Sequence, residues 1–329
     1  MPAPRFDLIG VGNAIVDVVA PCGDDVLSRH DMRKGGMALI DAEAAERLYA
    51  AMPPGQESSG GSAANTCAVA AGLGARVAYL GKVADDRLGE VFRRDIEAAG
   101  VHHPTAPLRG GAPTGRCLIL VTPDGQRTMN TFLGASVAFA PEDVDEALIA
   151  DAAVVYLEGY LFDPPQAREA FRRAAAAARA AGRRVALSLS DPFCVDRHRA
   201  AFRDFVRGHV DILFANEVEA CSLYEANEFE DAARQAAAEV DLAVLTRGEA
   251  GSVVLRGPER VDVPAAPARV VDTTGAGDAY AAGFLAALAA GRDLAACGRL
   301  GGLAAAEVIG QYGARPKADL RRLAARAGG

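Results

Sequence analysis

The sequence predicts an α/β protein, a three-layer αβα sandwich around a mainly parallel sheet with a small β-sheet lid. Two observations carry the sandwich. Short apolar runs alternate with longer helical stretches almost throughout the 329 residues, an order that builds a parallel sheet covered on both faces. Right-handed crossovers then place helices on either side. A third observation carries the lid: Val16 to Ile40 and Gly115 to Leu133 lack helical crossovers. They read as a small antiparallel sheet projecting over the carboxyl ends of the main strands. Residues 1–15, 41–114 and 134–329 are therefore expected to form the core, and 16–40 and 115–133 the lid.

The elements follow in order. Phe6 to Val11 is a short apolar run ending at Gly10 and Gly12, a buried strand meeting a turn. Ser62 to Leu73 is small and apolar, a closely packed helix, and Val77 to Leu80 is a strand. Asp85 to Ala99 is an amphipathic helix with Asp85 as its cap and Gly100 as its stop. Gly115 to Val121, the turn Pro123-Asp124-Gly125 and Arg127 to Phe132 make a hairpin. Val154 to Leu157 is a strand, and Pro165 to Ala181 a helix ended by Gly182. Val185 to Leu189, Ile212 to Phe214 and Leu242 to Leu245 are further buried strands.

Composition excludes several classes. Half of the residues are hydrophobic and 24% are charged, too apolar for a disordered chain. The net charge of −8 disfavours nucleic acid or an anionic membrane surface as the main partner. The longest uncharged apolar run, Ala279 to Ala290, falls short of the ~20 residues a membrane helix needs. Asp7 and Asp17 interrupt the N-terminal apolar stretch, so no secretory leader is expected and the chain reads as cytoplasmic. The six cysteines form no CxxC pair, which suits buried thiols in a reducing compartment.

Three segments carry chemistry. In Asp272-Thr273-Thr274-Gly275-Ala276-Gly277-Asp278, a β-like run (Arg269 to Val271) leads into a Gly-x-Gly turn and an Ala-rich helix. Backbone N–H groups converging at a helix start favour an anion. Asp278 sits beside that anion hole, where a carboxylate is a poor phosphate ligand but a good acceptor for a hydroxyl proton; a helix cap is the other reading of this residue. Gly60-Gly61-Ser62-Ala63-Ala64-Asn65 again puts two glycines before a helix, with Asn65 one turn in. Gly10-Val11-Gly12-Asn13-Ala14-Ile15-Val16-Asp17 lacks the third glycine of a dinucleotide loop and has no following helix. It leaves Asn13 and Asp17 at a strand end, suited to a neutral vicinal diol. No Walker A loop is present: Gly81-Lys82 is followed by Val83.

Together these segments resemble the ribokinase-like (PfkB) family of carbohydrate and nucleoside kinases. Gly60-Gly61 to Asn65, followed by Gly72, Gly81, Asp85-Asp86, Gly89 and Gly100, is similar to its first motif, and Asp272 to Gly283 to its second. The resemblance implies an α/β sandwich with a β lid, transferring the ATP γ-phosphate to a hydroxymethyl group. It implies Asp278 as catalytic base and Gly275, Ala276 and Gly277 as the anion hole. Asn216-Glu217-Val218-Glu219 resembles the family's NxxE element, so Asn216 and Glu219 would hold Mg²⁺ largely through water. Thr246-Arg247-Gly248 resembles the nucleotide-phosphate loop. Arg127 matches a lid arginine that reaches the transferring phosphate. Asp17, Gly60, Gly61 and Asn65 match the sugar-diol contacts, with Asn13 nearby. A monovalent cation near Asp272 and Thr274 is also implied.

Within the family, Gly12 to Asp17, Leu187 to Phe193 and Val210 to Glu217 look more like adenosine kinases than ribokinases or fructokinases. An adenosine site needs apolar walls around a base, and Ile15, Phe132, Leu133 and Leu161 are the candidates. Arg116 departs from this pattern: it would stack on a purine or bind an anionic sugar substituent. The expected partners are ATP and a nucleoside or sugar, for a monomer or homodimer. The alternatives are a sugar kinase of the same family and a non-catalytic binding protein on this fold.

Overall fold

The computed structural model describes residues 3–316 and 318–326. The first half of the chain runs β1 (Phe6–Val11), β2 (Ile15–Pro21), α1 (Asp24–Arg29), β3 (Met37–Leu39), α2 (Ala42–Ala51), β4 (Gln56–Gly60), α3 (Ser62–Gly72), β5 (Val77–Leu80), α4 (Arg87–Ala98), β6 (Val101–His102), β7 (Thr114–Val121) and β8 (Arg127–Gly134). It continues through α5 (Glu146–Ala150), β9 (Ala152–Glu158), α6 (Pro165–Ala180), β10 (Arg184–Ser188), α7 (Pro192–His209), β11 (Ile212–Asn216), α8 (Glu217–Tyr224), α9 (Phe229–Glu239) and β12 (Leu242–Thr246). The last elements are β13 (Ser252–Arg256), β14 (Glu259–Val263), α10 (Ala276–Ala289), α11 (Leu294–Ile309) and α12 (Leu320–Arg326).

The main sheet has the order β14-β13-β12-β11-β10-β9-β1-β5-β6. It is parallel from β6 to β12, with β13 and β14 added antiparallel. Its inner strands are apolar on both faces because both are covered. Val154 and Tyr156 of β9 face a core shared with α3, α10 and α11, while Val155 and Leu157 face one shared with α5 to α9. In that second core Phe162 and Phe202 are fully buried and stack with ring centroids 4.0 Å apart.

The second sheet has the order β3-β8-β7-β2-β4. It departs from expectation in two ways. It is mixed, because β2 runs parallel to β7 and β3 parallel to β8. It also takes in Gln56–Gly60, expected with the core, which pairs antiparallel with β2. Two smaller readings also change. The helix after β5 is capped by Asp86, whose side chain accepts from the Gly89 N–H, rather than by Asp85. Arg269 to Val271 is not a strand.

Removing one ring of the stacked pair leaves a cavity that packed neighbours fill only partly. Phe202→Ala is expected to lower unfolding free energy by about 3–5 kcal/mol, read from urea denaturation. A loss below about 1 kcal/mol would mean that the site collapses without a cavity.

Candidate active site

The site lies outside the carboxyl ends of the parallel strands, where open α/β sheets leave a crevice. Asn13 follows β1, Glu158 ends β9, and Asn216 and Thr246 end β11 and β12 side by side in register. The first turn of α10 and the start of α3 close the crevice from one side, and the second sheet from the other.

Asp278 stands in the first turn of α10. Its Oδ1 accepts from the Ser62 hydroxyl at 2.6 Å and its Oδ2 faces Asn65 Nδ2 at 3.4 Å. Burial pushes its carboxyl up to about 6; the two hydrogen bonds oppose this, and the negative charge of Asp17 adds to it. Gly275 precedes the helix with φ +78°, a left-handed conformation, and packs so closely on Ala314 that a side chain would strike it. The first intrahelical bond runs from the Ala279 N–H to the Gly275 carbonyl. The Ala276 N–H, expected in the anion hole, donates instead to the Thr273 carbonyl at 3.2 Å. Those of Gly277 and Asp278 have no backbone acceptor among the described residues, as the geometry of a helix start requires. They are the donors left for an anion.

Asp17 reaches the same crevice from β2. Gly60 and Gly61 make this approach possible: a side chain at the first would overlap the Asp17 carboxylate, and one at the second, with φ +100°, the Asn13 carbonyl. Burial pushes Asp17 up to about 6 against the pull of Arg315 and Arg127. Ile15 and Leu133 share the Asp17 face of the second sheet. Ile15 packs there with Cys117 and Ile119.

Several expected contacts fall elsewhere. Phe132 pairs with Arg116 across β7 and β8, so the period of two turns it to the face away from Asp17. Arg116 itself pairs with Glu46 and lies over the Tyr49 ring of α2, so it meets neither purine nor sugar. Leu161 is fully enclosed in the second core and lines no cleft. Asn13 is buried with its amide committed, Nδ2 donating to Glu158 at 2.9 Å and Oδ1 accepting from Ser136 at 2.9 Å. The Arg247 guanidinium stacks over Phe229 at 4.2 Å rather than standing free for a phosphate, while Gly248 beside it faces open space.

Arg127 extends from β8 to the loop ahead of α10, where its Nη1 pairs with Asp272 at 2.6 Å in a buried contact. Asp272 also accepts from the Thr274 N–H and hydroxyl at 3.0 and 2.7 Å and from the Gly313 N–H at 3.0 Å. Four donors use the lone pairs of a carboxylate, so this arrangement leaves the expected monovalent cation no free carboxylate oxygen on Asp272. Asn216 and Glu219 form a reciprocal cap on α8: the Glu219 N–H donates to Asn216 Oδ1 at 2.8 Å, and Asn216 Nδ2 to Glu219 Oε1 at 2.7 Å. Glu219 is nonetheless buried and pushed up to about 7, first by desolvation and then by the like charges of Asp191 and Asp278. A buried carboxylate facing the like charges of two others suits surroundings completed by a cation.

Sequence reasoning missed Glu158 and Arg315. Glu158 accepts from the Ala63 N–H at 2.7 Å as well as from Asn13, and burial pushes it up to about 7. It ties β1, β9 and α3 together under the site. An acid directly after the apolar run Val154 to Leu157 was the available signal. Arg315 has no motif around it.

With this geometry in view, residues 36–320 match the pfkB family carbohydrate kinase. The chain belongs to that family. Adenosine kinase of Saccharomyces cerevisiae is 29% identical over 317 residues, covering 89% of this chain and 91% of the relative. An ATP-dependent ribose-1-phosphate kinase of Halopiger xanaduensis is 32% identical over 274 residues, covering 80% and 85%. The crystal structure of adenosine kinase from Sinorhizobium meliloti superposes with a TM-score of 0.90 at 53% identity, covering 98% of this chain and 99% of that one. As a PfkB member close to adenosine kinases, the chain is an ATP-using phosphotransferase that acts on a hydroxyl group. Among the described residues no helix is long and apolar enough to cross a membrane.

Asp278→Asn keeps an oxygen for Ser62 but removes the ability to take a proton. We expect kcat to fall by at least about 100-fold with the fold intact, measured by coupled ADP release and thermal melting. Near-wild-type turnover would leave Asp278 as a helix-start residue only.

Proposed function

We propose that this PfkB kinase phosphorylates the 5′-hydroxyl of a ribonucleoside, with adenosine giving AMP as the leading substrate. One observation carries the reading: the lid face that presents Asp17 also presents Ile15, Cys117, Ile119 and Met129, an apolar stretch beside the carboxylate, with Ser58, Thr131 and Arg127 as its polar members. A purine needs such a wall beside its ribose, whereas a free sugar needs polar groups all round. The likeness to adenosine kinases at 53% and 29% identity supports it.

In this reading Asp17 accepts from two ribose hydroxyls, and Asn65, held at the mouth of α3, faces the sugar beside it. The 5′-hydroxyl lies next to Asp278, which takes its proton as the oxygen attacks. The N–H groups of Gly277 and Asp278 face the charge that develops on the transferring phosphoryl group. Arg127 brings positive charge to the same loop from the lid, and closure over the acceptor excludes competing water. The donor nucleotide is ATP, with Thr246 and Gly248 at its phosphate loop. Asn216 and Glu219, through water, would hold Mg²⁺, which neutralises phosphate charge when bound.

A second reading has a specific observation behind it. Arg127 and Arg315 both act on Asp17, and paired guanidinium groups suit a phosphorylated pentose. The relative of Halopiger xanaduensis, a ribose-1-phosphate kinase, supports this alternative.

A panel separates the two. Adenosine, 2′-deoxyadenosine, ribose, fructose and ribose 1-phosphate are each supplied with MgATP, and ADP release is followed for wild type and Asp17→Ala. Adenosine is expected to show the highest kcat/KM. Asp17→Ala should cost adenosine about one to two decades, from the loss of charged hydrogen bonds worth about 1.5–3 kcal/mol. 2′-Deoxyadenosine should be poor already and lose little more. Preference for ribose 1-phosphate would favour the second reading, and equal losses on both nucleosides would remove Asp17 from the diol.

A further inference from the structure

The residues that close the site from the C-terminal side follow one another in sequence. Tyr312 sets its hydroxyl against Gly125, at the turn between β7 and β8. The Gly313 N–H donates to Asp272 at 3.0 Å. Ala314 packs on Gly275. Arg315 then crosses to α3, donating from Nε to Asn65 Oδ1 at 3.2 Å and from Nη1 to Asp95 Oδ2 at 3.0 Å. Asp95, on α4, is itself fixed by the Ser59 N–H at 2.8 Å and by the Ser59 hydroxyl. Arg315 Nη2 is buried without a partner among the described residues.

These contacts decide which way the Asn65 amide points. A primary amide has an acceptor and a donor end of nearly equal size, and rotation exchanges them. With Arg315 Nε–H on one side and the Asp278 carboxylate on the other, only one orientation satisfies both neighbours. Turned over, the amide would set N–H against N–H and oxygen against carboxylate. Loss of Arg315 removes the restraint at the Oδ1 end, leaving only the long 3.4 Å contact to Asp278.

We propose that Arg315 is a positioning residue for phosphoryl transfer: it holds the Asn65 amide with its donor end toward Asp278 and the acceptor hydroxyl. The proposal rests on the reading of Asp278 as the proton acceptor and Asn65 as a neighbour of the acceptor substrate. In the nucleoside reading Arg315 is assigned no reactant to hold, so its effect passes through Asn65.

A double-mutant cycle tests this. Wild type, Arg315→Ala, Asn65→Ala and the double variant are compared by kcat, by KM for ATP and by thermal melting, using the acceptor that the panel identifies. Asp278→Asn is the control. Arg315→Ala is expected to lower kcat about tenfold, the scale of one hydrogen bond to a charged group, with KM for ATP unchanged. The double variant should be no slower than Asn65→Ala alone. If the two losses multiply instead, Arg315 does not act through Asn65 and the proposal falls. Should Arg315→Ala melt too early to assay, Arg315→Lys replaces it in the same cycle and is judged by the same rule. Normal turnover in Asp278→Asn would overturn the reading of the site itself. Loss of turnover there, with multiplicative losses in the cycle, would overturn only the role of Arg315.

Discussion

The Asp272 carboxylate accepts four hydrogen bonds from three parts of the chain, and the assembly of the site hangs on them. Arg127 arrives from the second sheet, Thr274 from the turn ahead of α10, and Gly313 from the segment after α11. Removing one partner of a buried ion pair leaves the other charge uncompensated, which is costly. The second sheet, the Gly-rich turn and the C-terminal segment are thereby set against one another. A kinase needs this registration because its transition state is stabilised mostly by position and charge, with little covalent participation by the protein.

The site also concentrates acids. Asp17, Glu158, Glu219 and Asp278 are all pushed upward, each chiefly by burial. Their surroundings differ in ways that suit different tasks. Glu158 is enclosed by the Asn13 and Ala63 N–H groups and joins strands to α3. Glu219 is tied to Asn216. Asp17 and Asp278 keep partly open faces toward the crevice, where a hydroxyl can reach them. Perturbed acids crowded at the ends of a parallel sheet mark chemistry more often than stability; here they line the crevice in which the proposed acceptor would lie.

The legible parts of the sequence were those where the backbone demands a particular residue. Gly61 and Gly275 take positive φ beside a helix start, and both glycine turns open helices where the sequence placed them. The hidden parts have physical reasons. Gln56–Gly60 is a polar edge strand and β3 is exposed throughout, so neither shows the alternation of a half-buried strand. Phe132 and Leu133 are neighbours in sequence but face opposite ways, and only the pairing of Phe132 with Arg116 reveals which one meets Asp17. The Ala276 N–H was lost to a turn carbonyl that no motif specifies. Arg315 lies 250 residues from Asn65, with nothing in its own neighbourhood to announce the contact.

The central claim is that an ionised Asp278, raised by burial and standing beside Asp17, accepts the proton of the acceptor hydroxyl. The pH dependence of kcat/KM tests it most directly, because it reports the groups of the free enzyme. Both carboxyls lie at about 6 and both must be ionised, Asp278 to take the proton and Asp17 to hold the diol. Lowering the pH converts each to its inactive acid form. The account therefore predicts that kcat/KM is level above pH 7 and falls steeply through pH 6, with a log–log slope approaching two that drops to one in Asp17→Asn. A profile that stays flat down to pH 5 would contradict it.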